Sequence, residues 1–330
     1  MFKNRNVLVT GGTGLVGREL VERLRKQGAN VHSVSLDENN FDPKWRIHYV
    51  KKDLRIQQHA MEVCKDMDYV FHIAGIKGSP IVMKTFQYQV FHDFIRMNTN
   101  MIDAIYKTPS VKWGLYCSTI GTYGPARTFK EDDLWKKNPS KNDWYAGWAK
   151  RMGEVQINAY DEQYGDPKMS IIKPANIYGK FDNFDLRTST LIPSLTRKVA
   201  EAKESVEIWG KGTAGRDIVH ARDVAAAAAF AVENKITKPL NVGHGKTFTI
   251  KEVIETLVKV SGKDLKIIHD LTKPTGDQYR VPNTDRLNKY GFKPNVKLED
   301  GLRETYEWYV ENGPTKGRFD PYYLGDKKRW

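Results

Sequence analysis

The seven residues GGTGLVG, at positions 11–17, constrain this chain more than anything else in it. They follow a short β-rich run, Asn6 to Thr10 (NVLVT), and set Gly11, Gly14 and Gly17 in G-x-x-G-x-x-G spacing. Leu15, Leu20 and Leu24, with Val16 and Val21, then form a helical apolar stripe ending at Gly28. A second β run, Val31 to Leu36, closes on Asp37. Strand, glycine turn, helix and strand together make a unit suited to a dinucleotide. Small residues admit the backbone to the pyrophosphate, and the helix N-terminus offers free N–H groups and a positive dipole end. Gly11, Thr13, Gly14, Leu15 and Gly17 are therefore cofactor-binding candidates. Asp37, twenty positions after the last glycine, can accept hydrogen bonds from the adenosine ribose and would repel a 2′-phosphate. That favours NAD over NADP.

Further strands follow in the order a doubly wound sheet requires. "VKKDL" brings Asp53 and Leu54 to the end of a third strand, where they can flank the adenine. Tyr69 to Ile73 is a fourth, and "HIAG" puts His72, Ala74 and Gly75 at its C-terminal end, the edge where ligands bind in such sheets. His72 by itself reads as a structural histidine. Asn98 and Asn100 fall on the next helix, positioned to bond backbone near the sheet, and Trp113 to Ser118 is a fifth strand running into "STIGTYG".

The bulk composition excludes several classes. Two cysteines, Cys64 and Cys117, make no disulfide framework, and no CxxC or Cys/His cluster suggests a metal. The N-terminus enters a strand with no signal-peptide run, and the longest apolar run, Val224 to Val232, is about half a membrane span. The expectation is a cytoplasmic protein with no membrane partner. The net charge of +13 is spread along the chain among acidic residues. It reads as a solvated basic surface or as an attraction for a diphosphate-bearing substrate. A nucleic-acid role rests on charge alone, and no nucleic-acid partner is expected.

"HIAG", "STIGTYG", "AGWAKRMGE", "KPANIYG" and "GRDIVHARDVA" follow the glycine motif in an order and spacing that resembles the extended short-chain dehydrogenase/reductase family over residues 5 to 310. These are the nucleotide-sugar epimerases, dehydratases and 4-keto reductases. The segment from Gly179 to Asp217 looks most like the GDP-fucose synthase-like GDP-sugar enzymes. The resemblance implies an α/β fold with a doubly wound, parallel Rossmann-type sheet and a smaller α/β substrate domain. The NAD-binding domain would cover 1–176 with a return near 214–242, and 177–330 would be mainly substrate domain and tail. It implies that Thr119 bonds the sugar hydroxyl, that Lys150 binds the nicotinamide ribose, and that Lys173 helps to hold the cofactor. Asn176, Arg197, Lys198, Arg216 and Arg280 would hold the nucleotide sugar. Guanidinium groups suit that task because their planar fork engages phosphate oxygens in pairs. A homodimer built on a four-helix contact is also implied.

Three departures from the family pattern shape the functional expectation. A tyrosine belongs four residues before Lys150, but Ala146 stands there and the nearest tyrosine is Tyr145. On a helix Ala146 and Lys150 lie about 40° apart and Tyr145 and Lys150 about 140° apart. Tyr145 inherits the role only if the helix begins late or bulges. Ile120 and Gly121 stand where dehydratases carry acids, and Gly121 and Thr190 stand where the fucose-synthase mode of C3/C5 epimerisation uses a cysteine and a histidine. Redox chemistry at a sugar carbon, with C4 the expected one, survives all three. Thr119 relaying to water, Tyr145, Tyr123 and Lys150 are the candidate proton acceptors, and Tyr145 with Thr119 would line the sugar pocket. The expectation is an NAD-dependent oxidoreductase or epimerase on a GDP-linked sugar, of the kind used in polysaccharide biosynthesis. The alternative is a non-catalytic NAD(H)- or nucleotide-sugar-binding protein. The tail beyond Gly313, with Phe319, Tyr322, Tyr323 and Trp330, reads either as a surface tail or as a strap over a neighbouring domain or subunit.

Overall fold

The computed structural model describes residues 1–272 and 279–314 of the 330; the aromatic tail lies outside them. In chain order the strands are β1 (Asn6–Thr10), β2 (Asn30–Ser35), β3 (His48–Lys51), β4 (Tyr69–His72), β5 (Trp113–Cys117), β6 (Thr128–Phe129), β7 (Met169–Pro174) and β8 (Asn176–Tyr178). They continue as β9 (Ser205–Trp209), β10 (Gly215–Arg216), β11 (Ile218–His220), β12 (Leu240–Val242), β13 (Phe248–Thr249), β14 (Lys266–Asp270) and β15 (Tyr279–Pro282). The helices are α1 (Leu15–Lys26), α2 (Gln57–Cys64), α3 (Pro80–Thr85), α4 (Gln87–Lys107), α5 (Trp144–Tyr164), α6 (Leu191–Glu201), α7 (Ala221–Glu233), α8 (Ile250–Ser261), α9 (Asp285–Lys289) and α10 (Leu298–Asn312).

Seven strands form one parallel sheet in the order β12-β7-β5-β4-β1-β2-β3. This is the Rossmann-type arrangement. The order reverses between β1 and β4, and a dinucleotide lies outside the carboxyl ends of strands at such a point. The strands carry long apolar runs because both faces are covered. On one face α1 and α7 supply Leu20, Leu24, Val224 and Ala228; on the other α2, α4 and α5 supply Ala60, Met101, Ile102 and Ile157. Leu20, Val21 and Leu24 have no exposed surface, each burial contributing about 1.5–3 kcal/mol. The helix α5 ends at Gly165, whose φ of 65° suits the left-handed cap.

A second body gathers α6, α8 and α10 around Val199, Ile208, Leu257 and Leu302. A four-stranded sheet, β13-β10-β15-β6, links it to the first. Asn241 of β12 ties that junction: its side chain donates to the carbonyls of Phe129 and Asn283, both at 3.0 Å, and accepts from the Tyr123 hydroxyl at 2.8 Å. No described helix is long and apolar enough to cross a membrane.

Candidate active site

The glycine turn is built for close approach. Gly11 adopts φ +66°, and a Cβ there would lie 2.9 Å from Ala74 Cα. A Cβ on Gly17 would strike the Gly11 carbonyl, so only glycine lets α1 sit this near β1. Gly14 caps α1 without a side-chain bond, and the first amides of the helix have no intrahelical acceptor. That is a fit for a pyrophosphate. Beyond β2, Thr13 donates from its hydroxyl to Asp37 Oδ2 at 2.7 Å, fixing the carboxylate over the turn. The Tyr49 hydroxyl donates to the Asp37 carbonyl.

The adenine-flanking candidates sit differently from one another. The Asp53 carboxylate takes the Arg55 guanidinium through Nε and Nη2, and Arg55 also reaches Asp93 at 2.7 Å. Leu54 is buried in the core beside Val34 and Ala60, with its carbonyl accepting from Asn100 at 3.1 Å.

His72 is structural. Its two ring nitrogens lie 2.9 Å from Thr10 Oγ1 and 3.0 Å from Asn98 Oδ1. The Thr10 oxygen also accepts from the Ala74 amide at 3.0 Å, so its proton goes to His72 Nδ1 and Nε2–H donates to Asn98. Complete burial lowers the imidazole pKa to about 3. Asn98 thus bonds a side chain, not the backbone expected from the sequence, and its buried amide nitrogen has no partner among the described residues.

Lys150 is buried where β4 and β5 end. Its ammonium donates to the Cys117 carbonyl at 2.7 Å and lies 4.9 Å from the Phe94 ring centroid and 5.0 Å from that of Tyr116. A Cβ on Gly75 would stand 3.8 Å from Nζ, so the ends of β4 and β5 meet at this cation. Burial brings its pKa down to about 8. Thr119, half-buried at the start of the loop after β5, accepts from the Gly121 amide at 3.1 Å. The helix that carries Lys150 begins at Trp144, and the Gly147 amide bonds the Asp143 carbonyl at 2.6 Å. It neither starts late nor bulges there. Tyr145, 41% exposed, turns its ring edge to Phe91 on α4. The structure does not bring it to Lys150.

Two other candidates lie in the interior. Lys173 has no exposed surface and pairs with Glu154 at 2.7 Å, while Ser118 donates to the other Glu154 oxygen at 2.5 Å. The lysine is therefore engaged inside the protein. Tyr123 is also buried, bonded to Asn241 and 4.8 Å under the Lys173 ammonium, and burial raises its pKa. That placement removes it from the sugar-facing acceptors considered above. Neither position was legible as interior from the sequence, because both depend on contacts between distant segments.

Arg216 and Arg280 are register partners on the adjacent parallel strands β10 and β15, which puts them side by side. Asn176 on β8 donates to the Asp217 carbonyl at 2.8 Å. Arg197 and Lys198 part company on α6. Arg197 bonds Glu201 at 2.9 Å and the Phe184 carbonyl, whereas Lys198 reaches back to the Glu207 carbonyl. Sequence reasoning missed Asp143, whose carboxylate pairs with Arg280 at 2.7 Å. No group of three or more His, Cys, Asp or Glu among the described residues could hold a metal ion.

Residues 7–243 match the NAD dependent epimerase/dehydratase family. The chain belongs to that family. Within it, the sequence is 32% identical over 320 residues to the "Probable GDP-L-fucose synthase 1" of Oryza sativa subsp. japonica, covering 94% of this chain and 93% of that one. Among solved structures, a GDP-6-OMe-4-keto-L-xylo-heptose reductase from C. jejuni superimposes with a TM-score of 0.80 at 24% identity, covering 94% of this chain and 99% of that one. A GDP-L-fucose synthetase from Naegleria fowleri bound to NADP gives 0.81 at 20% identity, with 94% of each chain covered. The two structural likenesses support the family's α/β fold.

Proposed function

We propose that the protein is a pyridine-nucleotide-dependent oxidoreductase acting on a GDP-linked sugar, with hydride transfer at a ring carbon, C4 in our assignment. The observation that carries this reading is the convergence of Lys150, Gly75 and Thr119 at the ends of β4 and β5, faced by the register pair Arg216 and Arg280. When bound, the nicotinamide supplies or accepts the hydride. Lys150 holds the adjoining ribose, and its charge favours a developing negative oxygen. Thr119 orients the sugar hydroxyl or carbonyl, and the two arginines take the diphosphate. Asp37, held by Thr13, supports NAD as the preferred dinucleotide. Apolar residues left outward on α5, Met152 and Val155, support a homodimer packed through this helix.

A second reading, a non-catalytic binder of NAD(H) or a nucleotide sugar, is favoured by Ala146 in the tyrosine position. Following the near-ultraviolet absorbance of reduced nicotinamide with a panel of GDP-sugars and their 4-keto forms separates the two. Turnover in either direction supports the enzyme. A tightly bound cofactor whose redox state no sugar changes supports the binder.

A further inference from the structure

Asp143 is the N-cap residue of α5, yet its carboxylate bonds no amide of the first turn, the use an aspartate there ordinarily has. Oδ2 takes Arg280 Nη2 at 2.7 Å and the Ser140 hydroxyl at 3.4 Å. Oδ1 takes no hydrogen bond among the described residues and faces the loop after β5. A Cβ on Gly121 would stand 3.3 Å from the Asp143 carboxyl carbon, 3.5 Å from Oδ1 and 3.5 Å from Thr119 Cγ2. Asp143 and Thr119 therefore border one position, where Gly121 carries no side chain.

The same carboxylate stands at the start of the helix that carries Lys150. Asp143 is the N-cap, one residue before α5 begins at Trp144, and Ala146 follows it in the first turn of the helix that carries Lys150. Helical side chains lean toward the N-terminus. A long side chain at 146 would bring its tip back to the level of Asp143, whereas alanine stops at its methyl and leaves that level to the carboxylate.

We propose that Asp143 is the proton acceptor of the hydride-transfer step, in place of the absent tyrosine; this rests on the oxidoreductase reading above. In the oxidising direction the sugar C–H bond breaks, and a bound oxidised nicotinamide would take the hydrogen together with both bonding electrons. The O–H bond breaks and its proton passes to Asp143 Oδ1, leaving a sugar C=O and a carboxylic acid. The sugar is oxidised, the nicotinamide reduced, and the proton goes on to water. Reduction runs the same steps backwards, with Asp143 as the acid. Arg280 and Ser140 on Oδ2 keep Oδ1 turned to the substrate.

The test compares the wild-type protein with Asp143→Asn, which preserves shape and removes the proton-accepting charge. With the sugar the wild type turns over, kcat should fall about 10²–10³-fold, within the range for loss of a positioned base. NADH affinity, measured by fluorescence, should stay within about twofold. Adding Ala146→Tyr to the Asp143→Asn variant should recover at least about tenfold of the loss. As a readout independent of turnover, a crystal of the wild type with bound nucleotide sugar should place an Asp143 oxygen at about 3 Å from a sugar hydroxyl. A variant kcat within about threefold of wild type, or a carboxylate out of hydrogen-bond reach, overturns the proposal alone. A wild type that turns over no sugar overturns the oxidoreductase reading and this proposal with it.

Discussion

The Lys150 ammonium donates to the Cys117 carbonyl at 2.7 Å while the aromatic rings of Phe94 and Tyr116 stand about it. Burial is the chief cause of its lowered pKa, about 8 against an ordinary value of 10.5. The ammonium is thus lost as pH rises through about 8. Turnover that needs the cation should fall on that alkaline limb, and Lys150→Met should abolish the limb and lower kcat by about 10²–10³. Stability runs the other way: between about pH 8 and 10.5 the unfolded chain keeps a proton that the folded one has shed, so this residue's contribution to stability rises with pH. Parallel kcat and chemical-denaturation profiles would show the opposed slopes, and a flat kcat profile through pH 9 would refute the assignment.

Glu154 and Lys173 are 2% and 0% exposed and 2.7 Å apart. Glu154→Gln leaves the ammonium buried without its counter-charge. The expected cost is about 3–5 kcal/mol, read as a lower denaturant midpoint with an unchanged slope. A loss under about 1 kcal/mol would mean that the lysine finds water or another acceptor.

Asp37, fastened by Thr13 at 2.7 Å, sets the prediction for the cofactor. Asp37→Asn removes the repulsion of a 2′-phosphate, worth about 1 kcal/mol in water and more where water is partly excluded. NADPH should gain about tenfold on NADH in competitive fluorescence titration. Equal affinity for both in the wild type would count against the NAD assignment.

Arg216 and Arg280 share a register position on β10 and β15. Arg216→Met should raise KM for the nucleotide sugar about 10–100-fold through the loss of a charge-assisted contact and leave NADH binding unchanged. Isothermal titration with GDP alone should show the same loss, and an unaltered GDP affinity would remove Arg216 from the diphosphate site.

Much of this was legible in the sequence because it is local. The glycine turn, the stripe of α1 and the run of buried strands are set by spacing and by side-chain period. Thr119 and Lys150 could be named from their motifs, and the structure puts Thr119 on the loop after β5, the strand whose Cys117 carbonyl holds Lys150. Pairings between distant segments were not legible. Lys173 meets Glu154 and Tyr123 meets Asn241 across 19 and 118 positions, so neither could be placed in the interior by pattern. Asp143 did leave a trace: it stands seven residues before Lys150, opposite a glycine in the loop after β5. Only the fold brings those facts to one place.

One turn of α5 carries both Lys150 and Glu154, the first bonding its cation to the Cys117 carbonyl of β5 and the second anchored to β7 through Lys173. Gly153 between them is pressed so near the Tyr116 ring that no Cβ fits. The helix cannot roll to adjust its lysine without tearing its own foundation. Residues 143 and 146, at the other end of the helix, lie outside that anchored turn. On the proposal made for Asp143, a substitution at 143 or 146, or at 121 in the loop after β5, would exchange one proton carrier for another while the Lys150 cation keeps its station.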